Sequence, residues 1–334
     1  MDQAQISRPT IKKSLWRFPV IDYTAHPIYR QPGAKTGFND TIAALKQYWP
    51  DYFAGMYRYK ENRKRIMKHA FLHKRSQAPS DLAEFEESGV LIRRIDQRFI
   101  EDLKNRLNEI IGFDMDTVDI DGQEVRRYIH FANEDPEIER LQFEMLNKHD
   151  FIEIAKHYTN AKTIDMAGWK IRIQQPNTEF KKNLFADVGQ SVPETNYLHV
   201  DSSFPGSMLK MVLYLGEVNG SNGPFCYVPG SHRLNEPIWR VIARRVNHKS
   251  GIQSWDPETR ERFMRLPAFF RHKAEFGNDI LPNSELAQTL LKHEIQVTSD
   301  VGNFILFDNS GMHRGGLVEQ GRRVCLQWTM NALG

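Results

Sequence analysis

Cysteine is almost missing from this chain. Only Cys226 and Cys325 occur in 334 residues, which excludes a disulfide framework and a zinc site built from thiolates, and suits a reducing compartment. Long hydrophobic runs are missing as well. The best one, Met208 to Leu215, is interrupted by Lys210 and is far too short for a membrane span. The opening residues MDQAQISRPT lack the apolar core of a secretory signal, so a cytoplasmic protein is the expectation. Charge of one sign is not dominant: the formal net charge is +3, too small to imply nucleic acid, and no such partner is expected. No internal repeat or low-complexity tract occurs. What remains is a globular composition, 40% hydrophobic and 26% charged, long enough for one large domain or two ordinary ones.

The first part of the chain is the least regular. Pro9, Pro19, Pro27 and Pro32 break any periodicity over residues 1–37, which read as an arm lying over the body. Residues 58–75 then hold Arg58, Lys60, Arg63, Lys64, Arg65, Lys68, Lys74 and Arg75 against Glu61, with Tyr57, Tyr59, Ile66, Met67, Phe71 and Leu72 interleaved. Such a basic amphipathic helix either docks on an anionic membrane surface or partner, or packs its apolar stripe on the core as a solvated face. Residues 1–79 are expected to form this arm and helical extension, and 80–334 the main domain.

Ser80 reads as the N-cap of a short helix that Gly89 stops. Val90 to Ile92 reads as a strand, Phe99 to Ile111 as an amphipathic helix, and Pro136 to His157 as one more helix. From about residue 163 the pattern changes to strands: Met166–Gln174, Tyr197–Val200, Leu209–Leu215, Phe225–Val228, Glu294–Thr298, Phe304–Phe307 and Arg323–Met330. Many short strands broken by Gly, Pro and Asn predict a sandwich or barrel. Residues 233–293 interrupt this framework. Their first 42 residues, 233–274, hold ten Arg or Lys against Glu236, Asp256, Glu258 and Glu261. This reads either as a helical lid suited to an anionic ligand or as an ordinary exposed helical pair.

Three stretches carry chemistry. In Leu198-His199-Val200-Asp201 the imidazole and the carboxylate are two residues apart, and on an extended segment such residues share a face. One nitrogen and one oxygen donor make two thirds of a 2-His-1-carboxylate iron site; an exposed strand with two polar side chains would look the same. In Gly302 to Gly316 an apolar strand runs into the polar turn Asp308-Asn309-Ser310-Gly311, and His313 follows. That turn either swings His313 back over the sheet end as the third donor or leaves it on a hairpin surface. In Gly321-Arg322-Arg323 two guanidiniums stand at the mouth of a strand that becomes apolar. Arginine offers a planar fork for a carboxylate, and a charge entering a barrel needs a partner. Alternation puts Arg323, Cys325, Gln327 and Thr329 on one face and Val324, Leu326, Trp328 and Met330 on the other, so Arg323 is preferred over Arg322 as a pocket residue. Lys170, Arg172 and Gln174 share a face of their own strand, either pocket-lining or surface.

Taken in order and spacing, His199-Val200-Asp201, Leu209 to Gly216, Asn222-Gly223-Pro224, Val228-Pro229-Gly230-Ser231-His232-Arg233, Gly302 to Phe307, His313-Arg314-Gly315 and the arginine about ten residues on resemble the phytanoyl-CoA dioxygenase-like branch of the Fe(II)/2-oxoglutarate oxygenases. The resemblance covers about residues 80–334. It implies an α+β, mainly β fold: a double-stranded β-helix, a cupin-like jelly roll, with flanking N-terminal helices and the helical lid. It implies Fe(II) held by His199, Asp201 and His313, with 2-oxoglutarate and O2 as co-substrates. Arg323 would grip the distal carboxylate of 2-oxoglutarate, with Arg172 or Gln174 beside it. It implies an enzyme, a hydroxylase releasing succinate and CO2, acting on a small and, from the basic segments, anionic substrate. An acidic sugar on a glycolipid, as for Kdo hydroxylases, is the membrane-surface version; a jelly-roll binding module without turnover is the rival. His232 reads as a turn residue that caps backbone groups rather than a fourth ligand.

Overall fold

The computed structural model describes residues 79–120, 124–129, 135–159, 161–176, 198–199, 201, 206, 208–233, 279–280, 290–300 and 302–333. The basic helix expected at 58–75, nearly all of the arm at 1–79 and most of the lid at 233–293 lie outside them. Among the described residues no helix is long and apolar enough to cross a membrane.

The elements run in the order α1 (Leu82–Ser88), β1 (Val90–Arg94), α2 (Gln97–Ile111), β2 (Glu124–Ile129), α3 (Pro136–Lys148), α4 (Phe151–Thr159) and β3 (Thr163–Gln174). Then come β4 (Leu198–His199), β5 (Leu209–Tyr214), β6 (Phe225–Tyr227), β7 (Asp279–Ile280), β8 (Ile295–Val297), β9 (Asn303–Asp308), β10 (His313–Gly315) and β11 (Arg323–Leu333). Gly89 ends α1 as expected, in the left-handed conformation at φ 76°, where a side chain would be strained. The cap of α1 differs from expectation. Asp81, not Ser80, precedes the first helical residue, and it makes no side-chain cap bond; its carboxylate is engaged by Arg93 from β1. The single helix expected over 136–157 is two. Asp150 adopts φ 54°, which no helix interior tolerates, and α3 and α4 meet at that corner.

The strands form two antiparallel sheets, one of six strands in the order β1-β9-β5-β11-β3-β2 and one of five in the order β7-β4-β10-β6-β8. This is the mainly β jelly roll with helices on one side. The large sheet has two unlike faces. Ile171, Ile173, Leu209, Met211, Leu213, Phe304, Leu306, Val324, Leu326, Trp328 and Met330 pack with Phe85, Leu103, Leu107, Phe151 and Ile154 of the helices. Their neighbours in sequence point the other way. Val212, Tyr214, Ile305, Phe307 and Cys325 meet Phe225, Tyr227 and Val297 of the small sheet. Period-two alternation thus assigns each residue of β5, β9 and β11 to the helix layer or to the space between sheets. β2 has no expected counterpart. Its sequence, Glu124-Val-Arg-Arg-Tyr-Ile129, does not alternate, and it is strand because β3 offers it a ladder from Glu124↔Gln174 to Ile129↔Trp169.

Candidate metal and co-substrate site

The space between the sheets holds the candidate donors. β10 lies between β4 and β6, and His313 pairs directly with His199 on one side and Tyr227 on the other. The two imidazole rings are 4.4 Å apart between centroids. Asp201 follows β4, and its backbone N–H donates to the Asn309 carbonyl at 3.0 Å. Its carboxylate lies 3.3 Å from His313 Nε2 and 3.8 Å from His199 Nε2. One ligand atom from each of the three residues falls within 4.8 Å of the others. Two imidazoles and one carboxylate, with no thiolate, are the donor set of a facial non-haem Fe(II) site with open positions, so the residues fit that metal.

The ring of His313 is fixed. Its Nδ1 is 2.8 Å from the Gly311 carbonyl. A carbonyl only accepts, so Nδ1 carries a hydrogen and Nε2 is the ring nitrogen turned toward the cluster. The turn that sets this geometry is built on Asp308, which is fully buried. One carboxylate oxygen accepts from the N–H and hydroxyl of Ser310 at 2.8 and 2.7 Å. The other accepts from the Tyr158 hydroxyl at 2.6 Å and the Gly206 N–H at 2.7 Å. Tyr227 donates its hydroxyl to the Asp308 carbonyl at 3.1 Å. Gly311 has no room for a side chain, since an added Cβ would lie 1.9 Å from the Tyr227 hydroxyl.

The Val228-to-Ser231 turn explains its own motif. Ser231 Oγ accepts from the Met312 N–H at 2.7 Å, and Val228 N–H donates to the Met312 carbonyl at 2.9 Å. The turn therefore clamps the residue before His313. His232 is buried and its Nε2 lies 3.2 Å from the Glu86 carbonyl; it ties the turn to α1 and is not in the donor cluster.

Arg323 is buried. Its guanidinium donates to the Gly223 carbonyl and to the Gln174 side chain, which also explains Asn222-Gly223-Pro224: Gly223 sits at φ 85° and turns its carbonyl toward the arginine. Arg322 points elsewhere, donating to the Met115 and Val118 carbonyls at 3.0 and 2.7 Å. Of the two, Arg323 lines the cavity that contains His199, Asp201 and His313, about 220 Å³ in volume. Lys170 and Arg172 from β3 line it too, and Arg172 donates to Gln327 at 3.2 Å. Gln174 is not on that wall; its side-chain oxygen accepts from the Arg323 guanidinium.

Sequence reasoning missed Lys210 and Arg314. Lys210 was visible only as the polar break in an apolar strand. In the structure it faces the cavity and its ammonium pairs with Asp201. Arg314 grips Glu294 through two bonds of 2.7 Å each. Burial opposes the charge on Asp201, but Lys210 first, then His313 and His199, outweigh it and hold the carboxyl well below its usual range. Cys226, packed against this region, has its thiol pushed up to about 12 by burial.

The model of the phytanoyl-CoA dioxygenase family matches residues 85–323, a span that holds all three donors and every strand but β11, of which it reaches only Arg323. The chain is an enzyme of the iron- and 2-oxoglutarate-dependent oxygenases, with iron, 2-oxoglutarate and O2 as its cofactor and co-substrates. Within that class it belongs to the phytanoyl-CoA dioxygenase family. Solved structures similar to it include HygX from Streptomyces hygroscopicus with nickel and 2-oxoglutarate bound, at 17% identity over 77% of this chain and 88% of that one, TM-score 0.44. EctD from S. alaskensis with bound Fe is 18% identical over 75% of each chain, TM-score 0.44. The epimerase SnoN in complex with Fe3+, alpha ketoglutarate and nogalamycin RO is 12% identical over 75% of this chain and 82% of that one, TM-score 0.44. No curated protein sequence matches the chain.

Proposed function

We propose that this oxygenase hydroxylates an unactivated C–H bond of a small anionic organic substrate. In this reading His199, Asp201 and His313 hold Fe(II), and Arg323, steadied by Gln174, holds the distal carboxylate of 2-oxoglutarate. The observation that carries it is the convergence of the neighbouring His199 and Asp201 with the distant His313 in one cavity with a buried arginine. When bound, the iron and its co-substrates supply the oxidation: 2-oxoglutarate and O2 yield succinate and CO2, and one oxygen atom enters the substrate as hydroxyl. The protein's own work is placement. The Gly311 carbonyl holds the His313 ring so that Nε2 faces the cluster, Asp201 brings one negative charge to a divalent cation, and Arg323 orients a diacid by a two-pronged hydrogen bond.

The substrate class rests on the wall of the cavity. Among the described residues Lys170, Arg172, Lys210, Arg314 and Arg323 line it, with Asp201 the one carboxylate on the wall and Glu294 behind it pairing Arg314, so the cations still outnumber the carboxylates. A divalent metal and a dianionic co-substrate cancel each other, so a loaded pocket stays positive and favours an acidic substrate. The test is succinate formation from 2-oxoglutarate with Fe(II) and O2, measured alone and against panels of acidic and neutral candidates. Stimulation by neutral compounds only would defeat the anionic reading; failure to bind 2-oxoglutarate would defeat the whole assignment. The membrane-surface version, an acidic glycolipid sugar approached through residues 58–75, rests on the charge of that segment. Flotation with anionic vesicles at moderate salt tests it, and absence of binding removes it.

A further inference from the structure

Lys210 is the second residue of β5, between Leu209 and Met211, which are fully buried against the helices. A lysine between two core residues of a strand is costly unless its charge finds a partner. Here alternation turns it into the cavity, and its ammonium pairs with Asp201 Oδ2. Lys210 is the one lysine or arginine that ion-pairs with that carboxylate among the described residues. It sits opposite Phe307 of β9 and Thr329 of β11, so two ladders fix its backbone and the lysine cannot swing away with a loop. The two carboxylate oxygens therefore have different surroundings: Oδ2 carries the lysine and lies 3.3 Å from His313 Nε2, while Oδ1 has no lysine and faces His199 at 3.8 Å.

We propose that Lys210 is a positioning residue for the oxygenase: it occupies one oxygen of Asp201 and so limits that carboxylate to a single bond with the metal. This rests on the reading of His199, Asp201 and His313 as the metal's ligands. The physical reason is a count of positions. An octahedral ion with three protein donors keeps three places, two for 2-oxoglutarate and one for O2. A carboxylate is free to bind through both oxygens, and doing so would take a place that the co-substrate needs. A hydrogen-bonded ammonium on Oδ2 makes the two-oxygen mode unfavourable and fixes the carboxylate's rotation before the metal arrives.

The experiment compares wild type, Lys210→Met and Lys210→Arg. Methionine keeps the length of the apolar stem without donor or charge; arginine keeps both. Co(II) binding is measured by calorimetry and by the visible absorption of the bound ion, then 2-oxoglutarate binding to the Co(II) protein, with thermal melting as the check on folding. The expected result is that Lys210→Met binds Co(II) at least as tightly as wild type, with an altered spectrum, and binds 2-oxoglutarate at least about tenfold more weakly. Lys210→Arg is expected to recover most of that loss. Co(II) spectra and 2-oxoglutarate affinity identical to wild type in Lys210→Met would overturn the proposal. So would loss of Co(II) itself, because the lysine would then be building the donor set rather than limiting it, and so would an arginine variant as weak as the methionine one. A wild type that binds no Co(II) would bring down the ligand reading, and this proposal with it.

Discussion

The two sheets bring their functional groups to the same cavity by opposite means. The large sheet contributes Arg323, Arg172, Lys170 and Lys210 from long strands; β11 alone pairs with β3 from Arg323↔Gln174 to Leu333↔Thr163. There the ladder sets the position, and the alternate residues are buried on the helices. The small sheet contributes His199 and His313 from strands of two and three residues. Ladders that short cannot hold a side chain in place. The Asp308 turn, the Gly311 carbonyl and the Ser231 clamp do so instead. The lesson is that a cation can be placed by register, whereas a converging donor set needs turns whose polar groups are themselves satisfied.

Four changes would break or sharpen that contrast. The largest effect is expected from Asp201→Ala: succinate formation falls to the rate without enzyme, while thermal melting still shows a folded protein. An active variant would remove the carboxylate from the chemistry. Next is Arg323→Ala on the large sheet, where the KM for 2-oxoglutarate should rise on the order of a hundredfold with a smaller change in kcat. An unchanged KM would shift the co-substrate to another cation of the same wall. Third is Trp328→Ala on the opposite face of the same strand. Trp328 is buried and stacked on Phe304 at 5.2 Å, so urea unfolding should show a loss of about 3–5 kcal/mol, with metal affinity of the folded fraction retained. Last is Gly311→Ala in the small sheet's turn. Overpacking against Tyr227 should cost about 1–3 kcal/mol, yet weaken Co(II) binding, because the Gly311 carbonyl orients His313. If Trp328→Ala weakened the metal site more than Gly311→Ala, the division of labour between the sheets would be wrong.

Much of the large sheet was legible beforehand. The alternation of β11 divides it as expected, with Val324, Leu326, Trp328 and Met330 in the helix-side core and Arg323, Cys325 and Gln327 on the cavity. The same parity reads β5, β9 and most of β3. The helices were legible in number only in part, because the corner at Asp150 has no proline or glycine to announce it. β2 was invisible, since a strand that exists by pairing at a sheet edge leaves no alternation of its own. Lys210 reads in the sequence as an interruption of an apolar run, and its partner, Asp201, follows a strand of the other sheet.

The sequence alone determined which residues could serve as donors and which face each long strand presents, because alternation and side-chain chemistry are local properties of the chain. It also determined the family, through motifs whose spacing is itself sequence. Only the tertiary structure decided that His313 returns beside His199 and that Lys210 meets Asp201. The first depends on the pairing of β4 with β10, far apart in the chain, and on a turn closed by buried polar groups. The second joins residues nine apart, but they meet only because the segment after β4 and the face of β5 are folded onto one cavity.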